Sequence, residues 1–341
     1  MLSERNNRSI LVTRPRFLGD VILTLPAVRA LKKAFPGTAV HYLTQKPYAA
    51  LLERHPDVDS VLALDTGSVF SQLSLFARVV RNRFDVAVDL FGNPRSAFWV
   101  WFTGAPVRIG GDFRGRRILY THRIPRSTES QNAVQFHLSY LRPLGISPEY
   151  SDPRLYPTEA EIAQASRWLR AIGCREAKPL IGIHPGATWP AKRWLPDRFA
   201  QLASRLKQSM DADILLTEGP GEAALVNAVQ QKIGGPILRA GVLPLRFLAA
   251  VLSRCNAFVT NDCGPMHMAP AVGTPTIGIF GPGEPEIWFP YRPEKGHRFV
   301  HAEIGCSRCH RDQCQKLDCM EAVTVDMVSE AVRASVCGGA K

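Results

Sequence analysis

The chain has 341 residues, which at roughly 100–200 residues per domain points to about two domains. Its 45% hydrophobic and 21% charged content excludes a disordered chain or a fibrous repeat. A balance of 42 Lys and Arg against 30 Asp and Glu gives +12, which calls for a polyanionic partner: nucleic acid, an acidic membrane surface or a phosphorylated ligand.

Strand-like and helical segments alternate along the chain. Ser9–Thr13, Val40–Thr44, Ser60–Leu64 and Asp85–Leu90 read as strands, each followed by a helix-length segment. The first of these helices, Val21–Phe35, contains Pro26, which either kinks it or marks its true start with Thr24 as the cap. The apolar run Ala97–Val107 falls short of the roughly 20 residues of a membrane span, and Gly104 and Pro106 interrupt it. The polar opening Met1–Ser9 gives no signal peptide, so the sequence reads as cytoplasmic. Leu144–Pro157, with three prolines in a polar setting, reads as a linker. Beyond it come strands at Leu180–His184, Asp213–Thr217, Ala257–Thr260 and Thr274–Phe280, with helices near Asp197–Gln208, Glu222–Ile233 and Leu245–Arg254. This is the grammar of two doubly wound α/β domains.

In open parallel sheets ligands bind beyond the carboxyl ends of the strands. Four such junctions carry polar groups. After the first strand, Asp20 either caps the helix that follows or stands at the mouth of a crevice. His184–Pro196 suits a phosphate cradle, with Thr188 as hydroxyl donor and Lys192 as counter-charge, although it lacks the spacing of a P-loop. Thr217–Glu222 reads equally as a plain turn or as a glycine-lined approach with a carboxylate for ribose hydroxyls. In Asn261–Ala269, Gly264 and Pro265 open a helix whose free N–H groups would face an anion, flanked by Asp262 and His267.

Residues 1–160 hold 21 Lys and Arg against 13 Asp and Glu, so most of the excess charge lies in the first half. Its densest run, Arg108, Arg114, Arg116, Arg117, Arg123 and Arg126, is either a solvated loop or a binding surface for phosphate and carboxylate. Asp57-Val-Asp59 and Asp211-Ala-Asp213 sit at turns into strands and read as turn residues rather than metal pairs. Cys306, Cys309, Cys314 and Cys319 have spacings that suit a structural zinc, free or packed thiols, or disulfides or an iron–sulfur centre.

The ordered set of blocks resembles glycosyltransferase family 9, the bacterial ADP-heptose:lipopolysaccharide heptosyltransferases. The blocks are Phe17–Lys32, His184-Pro-Gly-Ala with Lys192-Arg-Trp, Gly219-Pro-Gly-Glu222, and Asn261–Ala269 with Val272-Gly-Thr-Pro and Phe280-Gly-Pro. The resemblance implies a GT-B fold: two Rossmann-like domains facing a central cleft, 1–150 for the acceptor and 161–341 for the donor, joined by 151–160 and ending in the cysteine-rich stretch 306–319 and a C-terminal helix. It implies Asp20 as general base with Arg14 beside it, Lys192 and Thr188 on the donor diphosphate, Glu222 on the nucleoside, and Asp262, Gly264 and His267 facing diphosphate and sugar. Arg114, Arg116 and Arg117 are then candidates for acceptor binding. Two departures stand out: Cys263 replaces the usual Ser or Thr, and Phe280 is followed by Gly-Pro-Gly-Glu-Pro rather than Gly-Pro-Thr-Asp-Pro.

The implied activity is inverting, metal-independent transfer of heptose from ADP-heptose to a Kdo or heptose hydroxyl of the lipopolysaccharide inner core. The implied partners are an ADP-sugar, a phosphorylated lipid A-core acceptor and the anionic inner-membrane surface, where the protein would be peripheral. Nucleic acid is not among them, because no recognition signature accompanies the charge. A nucleotide-sugar epimerase and a non-catalytic nucleotide-sugar or lipid A binder remain the alternatives.

Overall fold

Every strand pairing among the described residues is parallel, and the strands form two six-stranded sheets. The structure is a computed structural model describing residues 9–125, 131–306 and 308–337, apart from the side chains of Arg114 and Cys337. The chain divides into two units between Tyr156 and Pro157. Arg154 and Tyr156 belong to the first: the Arg154 carbonyl meets His55 Nε2 at 3.0 Å, and Arg29 donates to the Tyr156 hydroxyl.

The first unit contains β1 (Ser9–Thr13), β2 (Ala39–Gln45), β3 (Ser60–Leu64), β4 (Val86–Asp89), β5 (Val107–Gly111) and β6 (His122–Ile124), in the order β3-β2-β1-β4-β5-β6. Its helices are α1 (Leu18–Leu23), α2 (Leu25–Ala34), α3 (Lys46–Ala49), α4 (Val69–Arg81), α5 (Pro94–Phe102) and α6 (Ala133–Ser139). The helix expected over Val21–Phe35 is two helices broken at Thr24. Pro26 sits in the opening turn of α2, where its missing N–H is harmless; a continuous helix would have set its ring against the Ile22 carbonyl. Thr24 does not cap α2 with its hydroxyl, which bonds the Val21 carbonyl at 2.7 Å and the buried Tyr42 hydroxyl at 2.5 Å.

The second unit repeats the scheme with β7 (Leu180–His184), β8 (Asp213–Glu218), β9 (Leu238–Val242), β10 (Ala257–Asn261), β11 (Thr276–Phe280) and β12 (Arg298–His301), in the order β12-β11-β10-β7-β8-β9. Its helices are α7 (Glu159–Ala171), α8 (Pro196–Met210), α9 (Ala223–Lys232), α10 (Leu245–Leu252), α11 (Gly264–Ala271), α12 (Pro285–Trp288), α13 (Asp318–Ala322) and α14 (Val325–Cys337). Alternation along β8 explains the two helical layers. Ile214 and Leu216 pack into a core built with α8, α9 and α14, while Leu215 points into a separate core with α7 and α10.

Each unit therefore has the Rossmann strand order, and in each the order reverses between two central neighbours: β1 and β4 in the first, β7 and β10 in the second. The polar junctions after β1, β7 and β10 fall at these two reversal points, and the one after β8 lies on the next strand over. Among the described residues no helix is long and apolar enough to cross a membrane.

Phe199 is fully buried and meets Trp194 edge to face, with ring centres 5.0 Å apart. Phe199→Ala is expected to cost about 3–5 kcal/mol, read as a lower urea midpoint; a loss below about 1 kcal/mol would mean that the core collapses around the site.

Candidate active-site residues

In the first unit the reversal point is organised by two buried groups, Arg14 and Asp89. Arg14 follows β1, and its Nη1 donates to the Leu90 carbonyl at 2.5 Å while its guanidinium lies 4.8 Å from the Phe91 ring centre. Its Nη2 donates to Asp20 Oδ1, and Asp20 Oδ2 accepts from the Phe17 N–H at 3.2 Å. Of the two readings the sequence left open, the helix-capping one is observed for Asp20. The residue closes the first turn of α1 and presents a carboxylate, held from two sides, at the carboxyl end of β1. Beside it, Thr13 Oγ1 and Arg14 Nε are buried and unbonded.

Asp89 was not singled out from sequence, because a lone Asp closing an apolar strand carries no periodic signal. It ends β4 and is fully buried, and burial pushes its carboxyl upward against the pull of four donors. These are the backbone N–H groups of Phe91 (3.0 Å) and Gly92 (2.9 Å), the Ser96 hydroxyl (2.8 Å) and the Tyr120 hydroxyl (2.6 Å). The turn it fixes carries the Leu90 carbonyl and the Phe91 ring that hold Arg14.

The arginine run is only partly available to a ligand. Arg108 donates to the Ala105 carbonyl at 2.6 Å and the Leu119 carbonyl at 2.9 Å, and Arg123 to the Arg117 carbonyl at 3.2 Å. These two brace the loop. Arg117 is exposed, 3.7 Å from Asp112, and Arg116 lies 5.7 Å from the centre of the Phe113 ring. Arg126 and the side chain of Arg114 lie outside what is described.

In the second unit the corresponding point joins the ends of β7 and β10. Asn261 closes β10: its amide donates to the Pro185 carbonyl at 2.8 Å and its carbonyl accepts from Trp194 N at 2.9 Å, which pins the segment carrying Lys192. Lys192 Nζ reaches Asp262 Oδ2 at 2.5 Å and lies 4.6 Å from the Trp189 ring centre. The proposed counter-charge is therefore paired with a carboxylate that the sequence also selected. Asp262 lies one residue before Cys263, the N-cap of α11, which Gly264 opens with Pro265 behind it. Thr188 is exposed on the segment between β7 and Lys192.

Two sequence-selected groups turn inward. Glu222 Oε2 accepts from Gly219 N at 2.7 Å and lies 3.3 Å from His184 Nε2. His184 Nδ1 meets the Thr217 hydroxyl at 3.0 Å, so Nε2 donates to Glu222 when Thr217 donates to Nδ1. Burial holds the His184 ring neutral by lowering its pKa. Gly186 is required here, because a Cβ would fall inside the Glu222 carboxyl. His267, in α11, is buried with Nδ1 2.9 Å from the Tyr291 hydroxyl; burial, helped by Lys192, drives its pKa down to about 3. At neutral pH His267 can therefore act only as a neutral donor or acceptor, not as a cation facing an anion.

Both departures acquire a physical meaning. Cys263 lies 3.2 Å from the Thr260 hydroxyl, and burial pushes its thiol up to about 12, so it stays protonated. A Cβ at Gly283 would stand 2.7 Å from Asp262 Oδ2, so a threonine there would make the carboxylate shift slightly.

The cysteines of the 306–319 stretch are free. Cys306, Cys309 and Cys314 are exposed, whereas Cys319 is buried beside Gly281. Among the described residues no group of three or more His, Cys, Asp or Glu side chains is gathered to hold a metal. The two Asp-x-Asp pairs are engaged by cations: Asp57 with Arg29, Asp59 with Lys32, Asp211 with Lys178 and Asp213 with Arg175.

The family model of glycosyltransferase family 9 (heptosyltransferase) matches residues 72–319. The chain belongs to glycosyltransferase family 9. The transferase is 26% identical over 291 residues to lipopolysaccharide heptosyltransferase 3 of Escherichia coli, covering 81% of this chain and 84% of that one. It is 27% identical over 301 residues to lipooligosaccharide heptosyltransferase 2 of Haemophilus influenzae, covering 82% and 84%. Among solved structures, the family 9 glycosyltransferase of Veillonella parvula superposes with a TM-score of 0.85 at 25% identity, over 97% of each chain. ADP-heptose lipopolysaccharide heptosyltransferase II of Escherichia coli superposes with a TM-score of 0.82 at 23% identity, over 96% of this chain and 98% of that one. The two Rossmann-like units are those of the GT-B fold.

The neutral His267 sets a pH dependence for the transferase. Above the usual histidine value of 6.5 the ring is neutral both folded and unfolded; between 6.5 and about 3 only the unfolded chain takes the proton. Stability is therefore expected to fall as pH drops through that window, with a contribution from this ring of up to about 1.4 kcal/mol per pH unit. His267→Gln should flatten the fall in unfolding free energy between pH 6.5 and 4.5. An unchanged slope would mean that the folded ring accepts the proton.

Proposed function

We propose that this family 9 glycosyltransferase moves heptose from ADP-heptose to a Kdo or heptose hydroxyl of the lipopolysaccharide inner core, with inversion at the anomeric carbon. The observation that carries the reading is the Asp20 carboxylate, held by Arg14 and the Phe17 N–H at the carboxyl end of β1 in a chain of this family. The names of the relatives support heptose as the sugar and lipopolysaccharide as the destination.

In this mechanism Asp20 takes the proton of the acceptor hydroxyl as its oxygen attacks the anomeric carbon. The bond from that carbon to the diphosphate breaks, and ADP leaves with the electron pair. Lys192 and the backbone N–H groups at the start of α11 receive the developing charge. Asp262 keeps Lys192 extended until the diphosphate competes for it. No step calls on a metal ion. Glu222 lies beside Gly219 and Gly186 and serves the nucleoside in this reading. Arg116 and Arg117, with Arg114, serve the acidic acceptor, and the protein works on the anionic face of the inner membrane.

Asp20→Ala is expected to lower kcat for transfer to a truncated core acceptor by about 10²–10⁴-fold while leaving donor binding in place. Transfer within tenfold of wild type by a folded variant would remove Asp20 from the role of base. ADP release that requires acceptor distinguishes transfer from epimerisation, and a panel of ADP-, UDP- and GDP-sugars tests the donor.

A further inference from the structure

Helices α4 and α5 carry an exposed apolar surface that the proposed reaction does not use. On α4 the outward stripe includes Val69, Phe70, Leu73 and Val80, with Phe70 87% exposed. On α5 it is Phe98, Trp101 and Phe102, 50%, 47% and 40% exposed, at positions where a helix on a sheet normally presents polar residues to water. The inner side of α5 is apolar too, with Ala97, Trp99 and Val100 in the core, so the helix is apolar nearly all round. The two stripes are one surface. Phe76 of α4 meets Phe102 edge to face at 4.9 Å, and Arg95 of α5 donates to Gln72 of α4 at 3.3 Å. Scattered exposed apolar residues are ordinary, but a continuous patch of aromatic rings marks an interaction site.

Charge selects the occupant. Arg78, Arg81 and Arg95 lie on these helices, which carry no Asp or Glu, and Arg83 follows α4 directly. The nearby acids are engaged elsewhere: Asp65 with Lys46 at 3.1 Å, Asp85 with Ser9 N at 2.9 Å, and Asp89 in the core. A second copy docked through this face would bring arginines against arginines. An anionic bilayer offers the complement, with phosphate for the cations and an acyl boundary for the rings.

We infer that the α4–α5 face is the surface by which the protein rests on an anionic lipid bilayer, with Phe70, Leu73, Phe98 and Trp101 entering the headgroup boundary and Arg78, Arg81 and Arg95 on lipid phosphates. The inference deepens the reading above, because an acceptor carried on lipid requires the enzyme at a membrane, but it can fail separately.

The test is co-sedimentation of the full-length protein with vesicles of phosphatidylglycerol and phosphatidylethanolamine, against vesicles of phosphatidylcholine alone. Wild type should bind the anionic vesicles at least tenfold more tightly, and less so as salt is raised. Phe70→Ser with Trp101→Ser should lower that binding at least tenfold, and Arg78→Gln with Arg81→Gln should weaken it and blunt the salt dependence. Both double variants should keep the wild-type unfolding midpoint and, on a lipid-free soluble acceptor fragment, kcat/KM within about twofold. The inference is overturned if wild type ignores anionic vesicles, if the variants bind as wild type does, or if sedimentation velocity finds a dimer that Phe70→Ser with Trp101→Ser dissolves. Absence of transfer to the soluble fragment by wild type would count against the proposed reaction and leave the vesicle result standing.

Discussion

Parallel strands cannot be joined by tight turns, and this constraint governs where chemistry appears in the chain. Each connection must cross back over the sheet through a helix, so all carboxyl ends of a sheet lie along one edge. In the first sheet the constraint places the residues after β1 beside the end of β4, with Thr13 paired in register with Asp89. In the second it places His184 in register with Thr260, so that the segment bearing Lys192 emerges next to Asp262. Polar residues far apart in sequence meet because the backbone leaves them nowhere else to end.

At these edges charge is handled by pairing rather than by exposure. Arg14 is one-tenth exposed or less and meets a carboxylate, a carbonyl and a ring, three different ways of replacing the water it lost. Lys192 meets Asp262 and the face of Trp189. The imidazoles behave differently. His184 and His267 are buried neutral and take hydrogen bonds from their surroundings without carrying charge into them. The two cationic centres are thus poised near carboxylates, while the histidines contribute shape and directional bonds.

The central strands were legible because they are short uninterrupted runs of aliphatic residues, as in Leu180–His184 and Ser9–Thr13. Four strands were missed, and three of them, β6, β9 and β12, are edges. His122-Arg-Ile124 and Arg298-Phe-Val-His301 carry charge on exposed positions, as edge strands do to discourage further pairing, and so lack the apolar run. The fourth, β5, contains Arg108 and two glycines, and Gly110 and Gly111 are occupied from outside by the Tyr120 and Phe113 rings. Of the site, strand-end positions such as Asp20, Lys192 and Asp262 could be read from the sequence. Which of them face each other could not, since the Lys192–Asp262 pair spans 70 positions and the Tyr120–Asp89 bond 31.

Gly283 and Asp262 compete for one small volume. A chain that carries a side chain at the first position must turn the carboxylate at the second aside by a few tenths of an ångström. The missing side chain at Gly283 therefore lets the Asp262 carboxylate lie against the backbone of the segment after β11, and any side chain there asks only for a small turn of that carboxylate, since the contact is with its outer oxygen.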